Sequence, residues 1–405
     1  MNTQQIFDLD RAAMNAVESI ERRRAAFDAL NRMEGRPFTA IIGPRGAGKT
    51  VLLRQMRADR EHAVYISADT MDSDVDLFAV VRALHDQFKV KDFFIDEIHF
   101  IRDYAAHLKK AFDFLPVRIW FTSSMALALD ETKWDLSRRV IVSFLLPFTY
   151  GEFLRFAENA KTEDLTLDRA LSDPPPRLLR VGGRFHEYLR GGMHPFLLER
   201  GSELVLFENI VHTVISRDIP AVDPTVTVGE ITTMERAVQF IARAAVDGVN
   251  YSTLAANLGI TKYKSEQILA RLETSFIAIR VFPGGTNVLR EPKVLLQLPY
   301  RLLYQPFDSA VGALREDFFA LAMRQHGQSF SYAKSTRGRK TPDYVLHGNL
   351  SGTVVEIGGK GKGRTQFKGL TYDRKVVLFD GDDSRETEIT GGERVPLFMI
   401  GFAPG

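Results

Sequence analysis

The chain has 405 residues, of which 45% are hydrophobic and 26% are charged, and its formal net charge is +2. This length allows two or three domains with separate cores. The small net charge identifies no partner, because opposite local charges cancel in the sum. The sequence contains no cysteine, which excludes disulfides, thiolate metal sites and cysteine nucleophiles. No stretch approaches the about 20 apolar residues of a membrane span, and residues 1–10 lack a signal-peptide pattern, so we expect a cytoplasmic protein without a membrane partner.

The first predicted element is a helix over residues 10–34, where apolar side chains recur at helical spacing. It contains three consecutive arginines at residues 22–24. A solvated helix face is the favoured interpretation of this cluster, and a nucleic-acid contact is the alternative.

A phosphate-binding loop is the strongest local signal. Residues 38–42 predict a buried strand and residues 51–56 a helix, and the string GPRGAGKT stands between them. This strand–loop–helix context makes G-x-x-x-x-G-K-[ST] a nucleotide site. We expect Lys49 to reach the β- and γ-phosphates of ATP and the Thr50 hydroxyl to ligate Mg²⁺. The predicted nucleotide-binding residues are Gly43, Pro44, Arg45, Gly46, Ala47, Gly48, Lys49, Thr50 and Val51.

A pair of carboxylates follows the next strands. Residues 63–67 predict a strand, residues 77–88 a helix, and the apolar run after Lys91 ends in Asp96 and Glu97. Their distance from the loop is typical of the strand beside the P-loop strand. We expect Asp96 to hold Mg²⁺ through water and Glu97 to orient and deprotonate the attacking water. A helix N-cap is the alternative for this pair.

Polar and basic residues flank two further predicted strands. The strand at residues 118–122 ends at Ser123 and Ser124, either of which is a candidate contact to the γ-phosphate or to the attacking water, or a cap. Arg138 and Arg139 precede a strand at residues 140–144. One of these arginines fits an arginine finger, acting within the chain or from a neighbouring subunit.

The strings GPRGAGKT, FIDEIH, WFTSS, LSRRV and LLPFTYGEFL together resemble the predicted AAA+-type ATPases of archaea and bacteria. In that family a P-loop domain precedes a winged helix and a C-terminal domain of unknown function (AAA_14 plus DUF4143). YLRGGM and SRDIP are further matches, and the resemblance is looser after about residue 220. The family more often has glycine where this chain has Arg138. The resemblance implies a homo-oligomer, with a hexameric ring favoured, because the finger comes from the neighbour.

The middle of the chain predicts a helical lid and then a DNA-binding module. Residues 251–261 have the helix, glycine turn and threonine cap of a helix-turn-helix, and residues 265–274 predict its second helix. A strand at residues 276–282 fits the wing of the winged helix that the resemblance implies. Lys264 and Arg271 are candidate DNA contacts. Two glutamates on the same helix weaken a phosphate-binding surface, so a protein-contact role stays open.

The C-terminal part predicts a nuclease-like fold. A helix opens at Arg315, and Asp343 and Glu356 stand on successive predicted strands, which is the skeleton of the PD-(D/E)XK fold. In that fold Asp and Glu bind the metal, and a lysine two places after the Glu helps to activate water. Gly358 occupies that place here, so we expect a rearranged or inactive, vestigial site.

The same part is basic. Residues 331–375 contain ten Lys or Arg against three Asp or Glu, and glycines between the cations let the backbone approach a phosphate chain. A solvated loop is the alternative to nucleic-acid contact. The candidate DNA contacts here are Arg339, Lys340, Lys360, Lys362, Arg364 and Lys368.

Together these patterns predict an α/β protein: a P-loop NTPase of the ASCE/AAA+ class with a helical lid, a winged helix and a C-terminal α/β nuclease-like domain. The expected boundaries are 1–150, 151–225, 226–300 and 301–405. The predicted function is an Mg²⁺-dependent ATPase that remodels or translocates DNA, with branched DNA such as Holliday junctions as a candidate substrate. A nucleotide-controlled switch in defence or transcription and an ATP-gated nuclease are the alternatives.

Overall fold

The computed structural model describes residues 3–33, 35–126, 136–200, 204–284, 291–333, 342–358, 372–381 and 393–404. Contacts divide the chain into two compact units. The first contains Met1–Pro147, His212–Thr227 and Thr274–Phe276, and the second contains Phe148–Val211, Val228–Glu273 and Ile277–Gly405. The division into four domains stays a prediction.

The first unit is built on a five-stranded parallel sheet with the order β2-β3-β4-β1-β5. Its strands are β1 (Phe38–Ile42), β2 (Ala63–Ser67), β3 (Asp92–Asp96), β4 (Arg118–Ser123) and β5 (Val140–Phe144). Before residue 147, the described part of this unit has the helices α1 (Thr3–Glu18), α2 (Ala26–Asn31), α3 (Lys49–Ala58), α4 (Leu77–Phe88) and α5 (Tyr104–Phe114), with 3₁₀ turns at Ala68–Thr70 and Ile98–Phe100. Because the strands are parallel, their carboxyl ends meet at one edge of the sheet, and we call this the carboxyl edge.

The strand order corrects one prediction. The carboxylate pair was expected on the strand beside the P-loop strand, but β4 lies between β1 and β3. The polar end of β4 therefore stands between the phosphate loop and the carboxylates.

Helices cover both faces of this sheet, which explains the nearly continuous apolar sequence of its inner strands. In β1, Phe38, Ala40 and Ile42 pack into one core with α4 and α5, whereas Ile41 packs into a second core with α2 and α3. The alternation places successive side chains on opposite faces.

The single helix predicted over residues 10–34 is wrong in its extent. The chain forms α1 and α2 with an irregular segment between them. The Gln55 side chain donates hydrogen bonds to the carbonyl oxygens of Ile20 and Arg22, so side chains satisfy backbone groups that a continuous helix would pair internally.

Residues 212–227 complete the first unit. They include the end of the helix Leu204–Thr213, a π-helical stretch at Val214–Asp218 and the short helix Ile219–Val222. π-Helical turns occur frequently at functional sites.

The second unit contains a five-stranded mixed sheet and a two-stranded antiparallel sheet. The mixed sheet has the order β12-β11-β10-β9-β8, and β6 pairs with β7. The strands are β6 (Ala278–Val281), β7 (Lys293–Leu296), β8 (Phe330–Tyr332), β9 (Tyr344–Leu346), β10 (Thr353–Gly358), β11 (Arg374–Phe379) and β12 (Glu393–Pro396). Among the described residues, the α-helices that begin in this unit are Tyr150–Glu158, Leu167–Ser172, Phe185–Glu187, Leu197–Arg200, Leu204–Thr213, Val228–Arg243, Tyr251–Leu258, Lys262–Thr274 and Phe307–Gln325. Shorter helical turns are Leu178–Arg180, Gly182–Arg184, Tyr188–Gly192, Val246–Gly248, Tyr300–Leu303, Gly348–Leu350 and Leu397–Gly401.

Two predicted helices of this unit begin earlier than expected. The helix after the Gly259 turn begins at Lys262 rather than at residue 265, with the Thr261 hydroxyl accepting the N–H of Lys264. The long C-terminal helix begins at Phe307, directly after Pro306, rather than at Arg315. None of the helices within the described ranges is long and apolar enough to cross a membrane.

Candidate active site

The phosphate loop has a backbone that its glycines make possible. Gly46 and Gly48 have φ angles of 79° and 91°, in the left-handed region that residues with a Cβ rarely adopt. Gly43 is required for another reason, since a Cβ there would lie 2.0 Å from the carbonyl oxygen of Leu145. Helix α3 begins at Lys49, directly after the loop, so the positive end of its dipole is available to a bound phosphate.

Lys49 lies inside this loop and is almost fully buried. Its Nζ donates hydrogen bonds to the carbonyl oxygens of Gly43 (2.9 Å) and Pro44 (3.1 Å) and lies 3.9 Å from Oε1 of Glu97. Burial lowers the pKa of Lys49. The ammonium group is therefore placed where the loop closes around a phosphate, beside a carboxylate.

Asp96, at the end of β3, is held by hydroxyl groups. Oδ1 accepts a hydrogen bond from Thr122 Oγ1 (2.5 Å), Oδ2 accepts one from Tyr65 (2.8 Å), and Thr50 also hydrogen-bonds the carboxylate. Burial raises the pKa of Asp96, and the charge of Glu97 adds to this effect. A hydroxyl and a carboxylate in contact are hard oxygen donors of the kind that Mg²⁺ prefers. The Thr50–Asp96 pair therefore fits the predicted metal site.

Glu97 has an unusual backbone conformation, with φ 51° and ψ 48°. Its N–H donates to Thr122 Oγ1 (2.8 Å), and its Oε2 accepts the N–H of Ser124 (3.0 Å). Burial raises the pKa of Glu97, but the charges of Lys49, His99 and Arg45 outweigh burial and leave the pKa below its ordinary value. The carboxylate is thus fixed and ionised at neutral pH.

The two candidate serines at the end of β4 have different roles. Ser123 Oγ is 3.1 Å from His99 Nδ1 and donates to the carbonyl oxygen of Met125 at 3.0 Å. Ser124 contacts Glu97 through its N–H, and its hydroxyl donates to Asp218 Oδ2 at 3.3 Å. Ser124 is therefore the serine next to the Glu97 carboxylate, whereas Ser123 is turned towards His99.

Two contacts of the loop were not foreseen from the sequence. Arg45 donates to Asp218 through Nε (2.5 Å) and Nη2 (2.8 Å), and Asp218 is fully buried. Arg24 donates to the carbonyl oxygens of Ala47 (2.7 Å) and Leu146 (3.0 Å). The Ser-Arg-Asp-Ile-Pro string was a visible signal around Asp218, but no local pattern relates it to a loop 173 residues earlier.

The candidate finger residues lie at the other edge of the sheet. The carbonyl oxygen of Arg139 accepts the N–H of Phe38, the first residue of β1, and the Arg139 guanidinium pairs with Asp113 at 3.0 Å. The loop begins after the last residue of β1, about 16 Å along the strand. Because Arg138 and Arg139 both precede β5, at the end of the sheet opposite the loop, neither contacts the loop of its own chain.

The candidate DNA contacts on the helix Lys262–Thr274 face an acidic residue. Lys264 pairs with Glu230, and Arg271 Nη1 lies 3.2 Å from the same carboxylate. These two residues stay predicted contacts, with part of their charge neutralised in the chain. The other candidates, Arg339, Lys340, Lys360, Lys362, Arg364 and Lys368, lie outside the described residues.

Of the two predicted nuclease carboxylates, Glu356 lies on β10 and Asp343 lies directly before the neighbouring strand β9. Asp343 directly precedes β9, which pairs antiparallel with β10, and its Oδ2 accepts the N–H of Ile357, next to Glu356. Within the described ranges, no group of three or more His, Cys, Asp or Glu side chains could hold a metal ion. The vestigial nuclease site stays a prediction.

Two known families match the chain. Residues 35–154 match the family described as an AAA domain (AAA_14), so this part of the chain has the P-loop NTPase fold of AAA+ proteins. Residues 183–297 match a domain of unknown function, DUF8612. The resemblance predicted DUF4143 for the chain's later part, whereas the family that matches is DUF8612.

Individual proteins are similar at lower levels. The chain is 25% identical over 398 residues to the uncharacterized protein MJ1637 of Methanocaldococcus jannaschii, a match that covers 86% of this chain and 83% of that protein. The Aeropyrum pernix ORC1 protein, solved in complex with DNA, is 15% identical with a TM-score of 0.31, and the match covers 76% of this chain and 93% of that one. AMPPCP-bound DnaA from Aquifex aeolicus is 16% identical with a TM-score of 0.24 and covers 65% of this chain and 87% of its own.

Proposed function

We propose that the chain is an Mg²⁺-dependent ATPase whose active site lies at the carboxyl edge of the β1–β5 sheet. The observation that carries the proposal is the position of Glu97, which is held by Ser124 and lies 3.9 Å from the Lys49 ammonium group. A fixed, ionised carboxylate beside the phosphate-binding lysine is suited to accept a proton from water that attacks the terminal phosphate.

In the proposed reaction, the loop backbone and Lys49 bind the β- and γ-phosphates. The Thr50 hydroxyl would ligate the metal ion, and Asp96 would hold it through water. Bound Mg²⁺ supplies positive charge that offsets charge on the phosphate oxygens. Glu97 orients the attacking water and accepts its proton. The Thr122 hydroxyl hydrogen-bonds both the Asp96 carboxylate and the backbone N–H of Glu97, so it fixes the positions of these two residues relative to each other.

The test is phosphate release from ATP and Mg²⁺. Glu97→Gln is expected to lower kcat by at least about 100-fold, the range for loss of a general base, while nucleotide affinity is retained. Lys49→Ala is expected to abolish nucleotide binding. Glu61→Gln, at an exposed glutamate, is the matched control and keeps the wild-type rate. Hydrolysis by Glu97→Gln at the wild-type rate, or tight ATP binding by Lys49→Ala, would contradict the proposal.

We further propose that hydrolysis is coupled to DNA, with a homo-oligomer, in the first instance a hexamer, as the working form. The support is the excess of ten cations over three acids in residues 331–375, because cations that neutralise DNA phosphates release counterions and give salt-dependent binding. The ATPase rate is measured with single-stranded, duplex and four-way-junction DNA, with Glu97→Gln as the control. At least one form is expected to raise the rate and to bind less tightly at higher salt. If no form does either, the DNA motor is refuted, and slow DNA-insensitive hydrolysis supports the nucleotide-controlled switch.

An ATP-gated nuclease is the second candidate. The adjacent placement of Asp343 and Glu356 favours it, because metal-dependent cleavage needs two acidic ligands together. Mg²⁺-dependent cutting that is lost in both Asp343→Asn and Glu356→Gln would support this activity. Cutting that survives both substitutions would exclude this pair as its source.

A further inference from the structure

Arg45 is a loop residue whose side chain is fixed by a residue from a distant part of the chain. Its guanidinium makes a two-pronged contact with the carboxylate of Asp218. Asp218 is the last residue of the π-helical stretch Val214–Asp218 and is fully buried. A buried carboxylate that meets an arginine with this fork geometry fixes the direction of the guanidinium.

Arg45 belongs to the same series of contacts as the catalytic carboxylate. Lys49 lies beside Glu97, Glu97 accepts the N–H of Ser124, and the Ser124 hydroxyl donates to Asp218, which holds Arg45. Burial is the main cause of the lowered pKa of Lys49, and the charge of Arg45 adds to it. The positive charge of Arg45 is therefore felt at the lysine that binds the phosphates.

The contact with Asp218 leaves Arg45 with donors to spare. A guanidinium has five N–H groups, and two of them are used by Asp218. Nη1 makes no hydrogen bond to any residue in the described ranges. Burial lowers the pKa of Arg45, but the carboxylates of Asp218, Glu97 and Asp69 together outweigh burial and raise it, so the group stays charged.

We propose that Arg45 stabilises the charge on the transferring phosphate from within its own chain, and that Asp218 is the positioning residue that holds Arg45 for this task. The inference rests on the proposed ATPase activity. An arginine that contacts the phosphoryl group in the transition state is worth about 10³- to 10⁵-fold in kcat. The two finger candidates predicted from the sequence, Arg138 and Arg139, precede β5 at the opposite edge of the same sheet.

The chain offers a matched control. Arg118 donates to Asp92 through Nε and Nη2, both at 2.7 Å, and Asp92 is buried. This pair has the same geometry and lies in the same sheet, but at the start of β3 and β4, away from the loop. Asp92 also lies 3.4 Å from Arg60 Nε, so Asp92→Asn reports what the loss of structural Arg–Asp contacts does to folding and activity.

The experiment measures kcat, KM for ATP and thermal stability for the wild type and for Arg45→Ala, Arg45→Lys, Asp218→Asn and Asp92→Asn. Arg45→Ala is expected to lower kcat by at least about 100-fold and Asp218→Asn by at least about tenfold, while KM changes by less than about threefold, because the lost contact acts in the transition state. Asp92→Asn lowers stability and leaves kcat within about threefold of the wild type. The double variant of Arg45→Ala with Asp218→Asn is no slower than Arg45→Ala alone, since Asp218 acts through Arg45.

The outcomes separate this inference from the proposed function. If the wild type hydrolyses ATP and Arg45→Ala keeps its kcat, the inference is refuted and the ATPase stands. Equal losses of kcat in Asp218→Asn and Asp92→Asn would show that the Asp218 contact stabilises the fold and does not position Arg45 for catalysis. If Asp218→Asn does not fold, the test is Arg45→Lys, which keeps the positive charge but cannot make the two-pronged contact. An unchanged kcat in Arg45→Lys refutes the positioning role of Asp218. Loss of activity in Arg139→Ala that is restored by mixing with Glu97→Gln chains would place the finger in a neighbouring chain instead. A wild type without ATPase activity refutes both.

Discussion

Thr122→Val is the substitution that tests the organisation of the site most directly. The Thr122 hydroxyl donates to Asp96 at 2.5 Å and accepts the N–H of Glu97 at 2.8 Å, and the residue is fully buried in β4. Valine has nearly the same shape, so the change removes the two hydrogen bonds with little change in volume. Its effect on stability and on activity therefore reports these bonds.

The size of the effect follows from what is left unpaired. A buried N–H without an acceptor costs about 1–3 kcal/mol, and a hydrogen bond to a charged carboxylate contributes about 1.5–3 kcal/mol. Since the apolar methyl group recovers part of this loss, we expect the free energy of unfolding to fall by about 2–4 kcal/mol. Release of the Glu97 backbone should also lower kcat by at least about tenfold, because the base loses its orientation.

The assay combines urea unfolding with phosphate release. Thr39→Val is the matched control, because Thr39 is buried in β1 of the same sheet and the one hydrogen-bond partner of its hydroxyl among the described residues is Met33 Sδ, at 3.9 Å. We expect Thr39→Val to unfold within about 1 kcal/mol of the wild type. The reasoning fails if Thr122→Val has the stability and the kcat of Thr39→Val.

Three further predictions concern the loop and one buried histidine. Gly43→Ala should lower stability by more than about 1 kcal/mol through a backbone clash and weaken nucleotide binding. Gly312→Ala, in a helix where an added Cβ would meet no atom within 4 Å, should instead raise stability by about 0.5–1 kcal/mol in the same unfolding assay. Equal effects of the two substitutions would contradict the clash. Arg24→Ala should raise the Kd of a fluorescent ATP analogue at least about threefold, because the carbonyl oxygen of Ala47 loses the hydrogen bond that positions it. An unchanged Kd would show that the loop keeps its conformation without Arg24. Burial lowers the pKa of His326, so the folded state resists protonation and stability should be lost as pH falls below about 6.5. The change of unfolding free energy with pH is at most about 1.4 kcal/mol per pH unit for one group, and His326→Gln should reduce it. An unchanged pH dependence in urea titrations at pH 7.5, 6.5 and 5.5 would contradict this prediction.

The sequence predicted the elements of the site whose geometry is local. The loop lies between a strand and a helix that adjoin it in the chain, so eight consecutive letters with their flanks suffice to fix its conformation. The ends of β3 and β4 were predicted for the same reason, because buried strands in a parallel sheet are apolar runs that stop at polar residues.

Other parts needed the tertiary structure because their contacts join distant residues. The strand order decided that β4, rather than β3, adjoins β1, and that Arg139 enters β5 at the edge opposite the loop. The break between α1 and α2 involves Gln55, whose side chain donates hydrogen bonds to backbone carbonyl oxygens that a continuous helix would have paired internally. No periodicity in residues 10–34 contains that information.

The turn of the phosphate loop was determined by the sequence, since the left-handed backbone of Gly46 and Gly48 and the hydrogen bonds of Lys49 to Gly43 and Pro44 all lie within the loop. What surrounds it was decided by folding. Asp218 reaches Arg45 and Ser124 only because residues 212–227 pack into the first unit, and a buried charge pair of this kind leaves no periodic trace in either segment. The identity of the site is therefore local, whereas the direction of its arginine is a property of the whole nucleotide unit.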